Sequence, residues 1–102
     1  MATISANAIH KVVVACDAGM GSSVMLASQL RRDLKKNNVT VEHSPVNQIP
    51  ADADVVVCHE GLAARARVSA PDKVIVPVRV FIGDPAVARL VKVVRDGGDL
   101  DG

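Results

Sequence analysis

The chain has 102 residues, enough for one domain and one core, and 49% of them are apolar, so a packed interior is well supplied. A formal net charge of +1 and a single aromatic residue, Phe81, argue against bulk nucleic acid and against an anionic membrane surface as partners. No apolar stretch approaches the roughly 20 residues that span a bilayer, and MATISANAIH lacks the regions of a secretory signal, so a soluble cytoplasmic domain with reduced thiols is expected.

Residues 1–8 are small and polar and read as a flexible arm. Residues 9–15 (IHKVVVA) have the β-branched enrichment of a buried strand. A glycine-rich loop follows, and the spacing then predicts a helix over 22–36, with Val24, Ala27, Leu30 and Leu34 on one stripe. Arg31, Arg32, Lys35 and Lys36 crowd its last turns, where cations complement the negative end of the dipole, and Asn37-Asn38 stops it. Residues 39–43 (VTVEH) form a second strand, followed by a proline-bounded loop. Residues 54–59 (DVVVCH) read as a third strand, apolar on both faces and therefore central. A short helix fits residues 60–68, and a fourth strand fits 73–78 (KVIVPV), where Pro77 indicates an edge. Asp84 and Pro85 open a last helix with Val87, Leu90, Val91 and Val94 as its apolar stripe. Gly97-Gly98 ends that helix, and residues 97–102 are expected to be a flexible tail. The alternation predicts one α/β domain over residues 9–96. Its sheet is parallel and four-stranded, in the order 2-1-3-4 with helices on both faces, Rossmann-like and similar to small tyrosine phosphatases.

The stretch VVVACDAGMGSS places Cys16 where the first strand gives way to the loop. In such sheets ligands sit beyond the carboxyl ends of the strands. Gly19 and Gly21 let successive N–H groups turn inward as an anion-binding nest, and the helix that begins there adds its unpaired N–H groups. Ser22 and Ser23 add hydroxyls, one of them placed to cap the helix. This setting favours a thiolate at Cys16 and offers donors to the outer oxygens of a phosphoryl group on its sulfur. Asp17 opposes both effects unless it points to solvent or orders the turn by accepting loop hydrogen bonds. The loop has no lysine of a nucleotide P-loop, and the C-x5-R arginine of small tyrosine phosphatases is replaced by Ser22.

The string VVVACDAGMGSSVM, with NQIP and DADVVVCHEGLAARA further on, resembles the IIB components of the bacterial sugar phosphotransferase system, most closely the mannitol-type domain. The resemblance implies a phosphoryl carrier. A phosphohistidine on a IIA partner would donate to Cys16, and Cys16 would pass the group to a sugar, mannitol for this type, bound in the membrane component IIC. It assigns Asp17, Ala18, Gly19, Met20, Gly21, Ser22 and Ser23 to the phosphate-binding loop. It implies no cofactor, no metal and no nucleic acid. It also implies a cytoplasmic domain that reaches the membrane only through IIC. Two rival readings are a small cysteine phosphatase or arsenate reductase, disfavoured by Ser22, and a IIB-like sensor module of a transcription regulator.

Cys58, in the central strand, reads as a buried inert thiol. His59 ends that strand next to the first. It is either an accessory group stabilising the phosphoryl group or a structural polar cap. His10 and His43 are expected to face solvent. Arg65 and Arg67 form a solvated face or a partner contact, and Met20 is an apolar contact for IIA.

Overall fold

Runs of valine decide the architecture. In the computed structural model, which describes residues 3–16, 21–79 and 85–101, Val12, Val13 and Val14 and, beside them, Val55, Val56 and Val57 are completely buried. β-branched side chains pack well on a pleated surface, and a strand apolar on both faces must be covered on both. The strands are β2 (Lys11–Cys16), β3 (Thr40–Pro45), β4 (Val55–His59) and β5 (Val74–Val78), all parallel, in the spatial order β3-β2-β4-β5. Among these four strands that is second, first, third, fourth. Pro77 lies in β5, an edge of the sheet, where a residue without an N–H costs no ladder bond on the open side.

The two faces are filled by alternate residues of the strands. Val12, Val14, Val55 and Val57 pack with α1 (Gly21–Leu34) and α3 (Pro85–Asp96). Val13, Ala15, Val56 and Cys58 pack with α2 (Ala63–Ser69) and the 3-10 turns Val46–Gln48 and Glu60–Leu62. One residue of α1 departs from expectation. Val24 is 49% exposed, and the buried stripe runs through Leu26, Ala27, Leu30 and Leu34. At 3.6 residues per turn, Leu26 lies nearer the centre of that stripe than Val24 does. Arg31, expected only to balance the helix dipole, also donates from Nε to the carbonyl of Val41 at 2.9 Å and ties α1 to β3. A 3-10 turn, Lys35–Asn37, ends the helix, and Asn38 follows in the left-handed region at φ 58°, which asparagine tolerates.

At the amino edge of the sheet, Oδ2 of Asp54 accepts the N–H groups of His10 (2.8 Å) and Lys11 (2.9 Å), so one carboxylate fixes the start of β2 against β4. Lys11 Nζ pairs with Asp52 at 2.9 Å and with Glu42 at 3.0 Å. The hydrogen bonds hold the lysine more firmly protonated and the Asp52 carboxyl more firmly ionised than usual. These contacts lie at the end opposite Cys16 and serve the register, not the chemistry.

The termini, expected to be a flexible arm and a flexible tail, instead pair. β1 (Thr3–Ser5) and β6 (Asp99–Asp101) form an antiparallel two-stranded sheet in which Ile4 faces Leu100 across the ladder. Leu100 is 2% exposed and joins the core beside α1 and α3. The pairing is set up by Gly97, at φ 81° with its N–H on the carbonyl of Val93, and by Gly98, whose carbonyl accepts the N–H of Ala6 at 2.8 Å. A single apolar residue among polar neighbours carries too weak a periodic signal to mark a strand. Leu100→Ala should lower the unfolding free energy by about 2–3 kcal/mol, as for other buried leucines. Urea titration reads this directly, and a loss below about 0.5 kcal/mol would mean that the tail does not pack.

Candidate functional site

The chain leaves β2 through α1 toward β3 on one face of the sheet, and leaves β4 through α2 toward β5 on the other. Between β2 and β4 the connections therefore diverge, which opens the crevice where ligands bind in open α/β sheets. Cys16 is the last residue of β2, with Pro45 of β3 as its Cα partner. The β2–β4 ladder runs from Val12↔Val55 to Val14↔Val57, so Cys16 and His59 each lie two residues beyond its last pair, on either side of the divergence. α1 begins at Gly21, so the positive end of its dipole returns to the same edge five residues after Cys16.

Asp17, Ala18, Gly19 and Met20 lie outside the described residues, as do Phe81 and Asp84, the residue expected to cap the last helix. Gly21, Ser22 and Ser23 form the first turn of α1. The side chains of Ser22 and Ser23, and with them the expected serine cap, lie outside what is described. The backbone of Cys16 and the first turn of α1 are brought to one edge as the sequence suggests.

His59 has a defined role. It is the capping residue of the turn Glu60–Leu62, and its Nδ1 accepts the N–H of Gly61 at 3.1 Å. A neutral imidazole that accepts at Nδ1 carries its proton on Nε2, so this bond selects the tautomer. The polar-cap role is therefore present. Gly61, which sequence reading passed over, belongs to the same device. A Cβ there would lie 3.3 Å from Nδ1 of His59, a tight contact that the ring would have to relieve by a few tenths of an ångström. The signal that could have found it is the spacing H-x-G at the end of a strand, where a side-chain acceptor meets an N–H two residues on.

Cys58 is completely buried, and burial pushes its thiol up to about 11, with the positive charge of Arg67 opposing the shift. The inert-thiol reading stands on that environment. His10 and His43 are exposed. Arg67 and Arg79 line a surface groove of about 600 Å³ with Glu60, Ala63, Pro77 and Pro85, beside the end of β5. Glu60 pairs with Arg79 at 3.4 Å across its rim. Ser44, the residue before Pro45, has a buried hydroxyl with no hydrogen-bond partner among the described residues. Among the described residues no cluster of histidine, cysteine and carboxylate side chains is placed to hold a metal ion. No described helix is long and apolar enough to cross a membrane.

The profile of the family described as "PTS system, Lactose/Cellobiose specific IIB subunit" matches residues 11–93, from the start of β2 into α3. Among individual proteins, the chain is 37% identical over 91 residues to the "PTS system mannitol-specific EIICB component" of Bacillus subtilis (strain 168), a match covering 87% of this chain and 19% of that protein. The protein of the same name from Geobacillus stearothermophilus is 39% identical over 89 residues, 85% of this chain and 19% of its own length. That from Staphylococcus aureus (strain COL) is 41% identical over 88 residues, 83% and 17%. The chain thus spans less than a fifth of the length of these relatives. With the profile covering all four strands of the parallel sheet, the chain belongs to the IIB family of the phosphotransferase system, and it is similar to the IIB portion of mannitol-specific EIICB components.

Proposed function

We propose that this domain is a phosphoryl carrier. Cys16 accepts the group from a phosphohistidine of a IIA protein and passes it to a sugar, mannitol by analogy with the named relatives, held by a membrane IIC component. The observation that supports this best is the position of Cys16 at the carboxyl end of β2, at the divergence point and next to the amino end of α1. The helix terminus favours the thiolate, and the N–H groups of the loop and first turn are suited to three phosphoryl oxygens. In the accepting step the sulfur attacks phosphorus in line as the N–P bond breaks, and the electron pair returns to the imidazole nitrogen of the donor. In the donating step the sugar hydroxyl attacks phosphorus, its proton passes to a base of the IIC component or to water, and the S–P bond breaks with its electron pair on sulfur, restoring the thiolate. Positioning and charge stabilisation suffice for both, and no water is needed. Asp17, Ala18, Gly19, Met20, Gly21, Ser22 and Ser23 make up the phosphate-binding loop in this reading, with Ser22 where a phosphatase would have its arginine.

Incubation with a phosphorylated IIA protein should raise the intact mass by one phosphoryl unit. The gain should disappear in Cys16→Ser and persist in Cys58→Ala. Loss in both variants alike would contradict the assignment. The same preparation should hydrolyse p-nitrophenyl phosphate negligibly, since no guanidinium clamps the transition state. Turnover that depends on Cys16 would favour a phosphatase instead.

The two thiols should also separate by reactivity. With its thiol pushed up to about 11, Cys58 is ionised to only about a thousandth at pH 8 and is shielded as well. Iodoacetamide should therefore label Cys16 in the folded protein and Cys58 only after unfolding, as peptide mapping would show. Labelling of Cys16 no faster than a free thiol at neutral pH would mean that the helix terminus does not activate it.

A further inference from the structure

We propose that the outer surface of α1 and α3 docks on an anionic lipid surface. The chain's net charge of +1 conceals a strong segregation. α1 and the turn that follows it carry Arg31, Arg32, Lys35 and Lys36 against Asp33, and α3 carries Arg89, Lys92 and Arg95 against Asp96. All the other elements and loops together hold five cations against nine anions. The two helices lie side by side on one face of the sheet, packed with the same valines. Nδ2 of Asn37 donates to the carbonyl of Val94 at 3.3 Å and ties their carboxyl ends together. The positive charge is therefore gathered in one layer. Each helix buries its apolar stripe against the sheet, and Arg32, Lys35, Lys36, Lys92 and Arg95 are exposed on the layer's outer side.

Two features favour a lipid surface over a compact anion. The cations stand on long, exposed stems spread over two helices, which suits an array of many mobile phosphate groups, whereas a single ligand would need them converged. Val24 and Met25, on the same layer, are 49% and 58% exposed, two of the three large apolar side chains so exposed among the described residues. Apolar side chains beside a basic face gain by entering the boundary between headgroups and acyl chains. The contact itself does not depend on the carrier reading. Under that reading it has a use. α1 begins at the Cys16 edge, so a domain held by this layer keeps that edge at the membrane surface, where IIC would present its sugar.

Sedimentation with vesicles tests this without any phosphoryl transfer, so its outcome is separate from that of the carrier reading. The full chain should sediment with phosphatidylcholine vesicles containing about one third phosphatidylglycerol and should ignore vesicles of phosphatidylcholine alone. About 0.5 M sodium chloride should release it. Arg32→Gln combined with Lys92→Gln should weaken the binding at least about fivefold. Arg65→Gln combined with Arg67→Gln removes the same charge from α2, on the other face of the sheet, and should change it less than about twofold. All four side chains are exposed, so both variants should melt close to wild type. No sedimentation with the anionic vesicles, equal binding to both vesicle types, or equal loss in the two variants would overturn the proposal. So would slower acceptance of the phosphoryl group from a soluble phosphorylated IIA protein by the Arg32→Gln, Lys92→Gln variant without lipid, which would assign the layer to an acidic protein.

Discussion

The divergence of connections between β2 and β4 is the constraint on which the rest of the molecule depends. A parallel sheet must send each strand's exit over one face or the other, and here adjacent central strands exit to opposite faces. Because the strand ends cannot be covered by a crossing helix at that point, backbone groups there face outward. The register is fixed from the other end. Asp54 clamps the entry to β2, and completely buried valines fill both faces between the clamp and the crevice. A slip of one residue would exchange the side chains of the two faces and carry Asp54 away from the N–H groups of His10 and Lys11, so the strand ends at Cys16 and His59 are placed by contacts far from themselves.

The same sheet gives its two cysteines different positions. Cys58 lies inside β4 among Val13, Ala15, Val56 and Ala66, and desolvation holds it as a thiol. Cys16 lies at a strand end, five residues before the first residue of a helix. Residue type is common to both, and only the distance from the strand terminus and the helix dipole differs. In the proposed carrier reading, that contrast leaves Cys16 as the one nucleophile of the two thiols.

Most of the framework was legible because its signals are local and repeated. Each strand of the main sheet is a short β-branched run, Pro77 marks an edge, and Pro85 opens the last helix as its place in the sequence suggests. What sequence reading missed depends on long-range or single-residue effects. Thr3–Ser5 and Asp99–Asp101 become strands only because they meet each other, and nothing in either triplet announces the partner. Val24 sits outside the buried stripe because the orientation of α1 on the sheet, tied by Arg31 to Val41, chooses Leu26 instead. At the site, Cys16 and His59 could be named from their strand ends, whereas the part of Gly61 emerged from the path of the turn after β4.

A carrier role for Cys16 requires that phosphorus become bonded to its sulfur. Phosphorus NMR of the protein after reaction with a phosphorylated IIA partner tests it most directly, because phosphorus on sulfur resonates well downfield of phosphorus on nitrogen. One downfield resonance is expected, correlated with the β-protons of Cys16 and absent from Cys16→Ser. A resonance typical of phosphorus on nitrogen, assigned to His10, His43 or His59, or a sulfur-bound signal traced to Cys58, would contradict it.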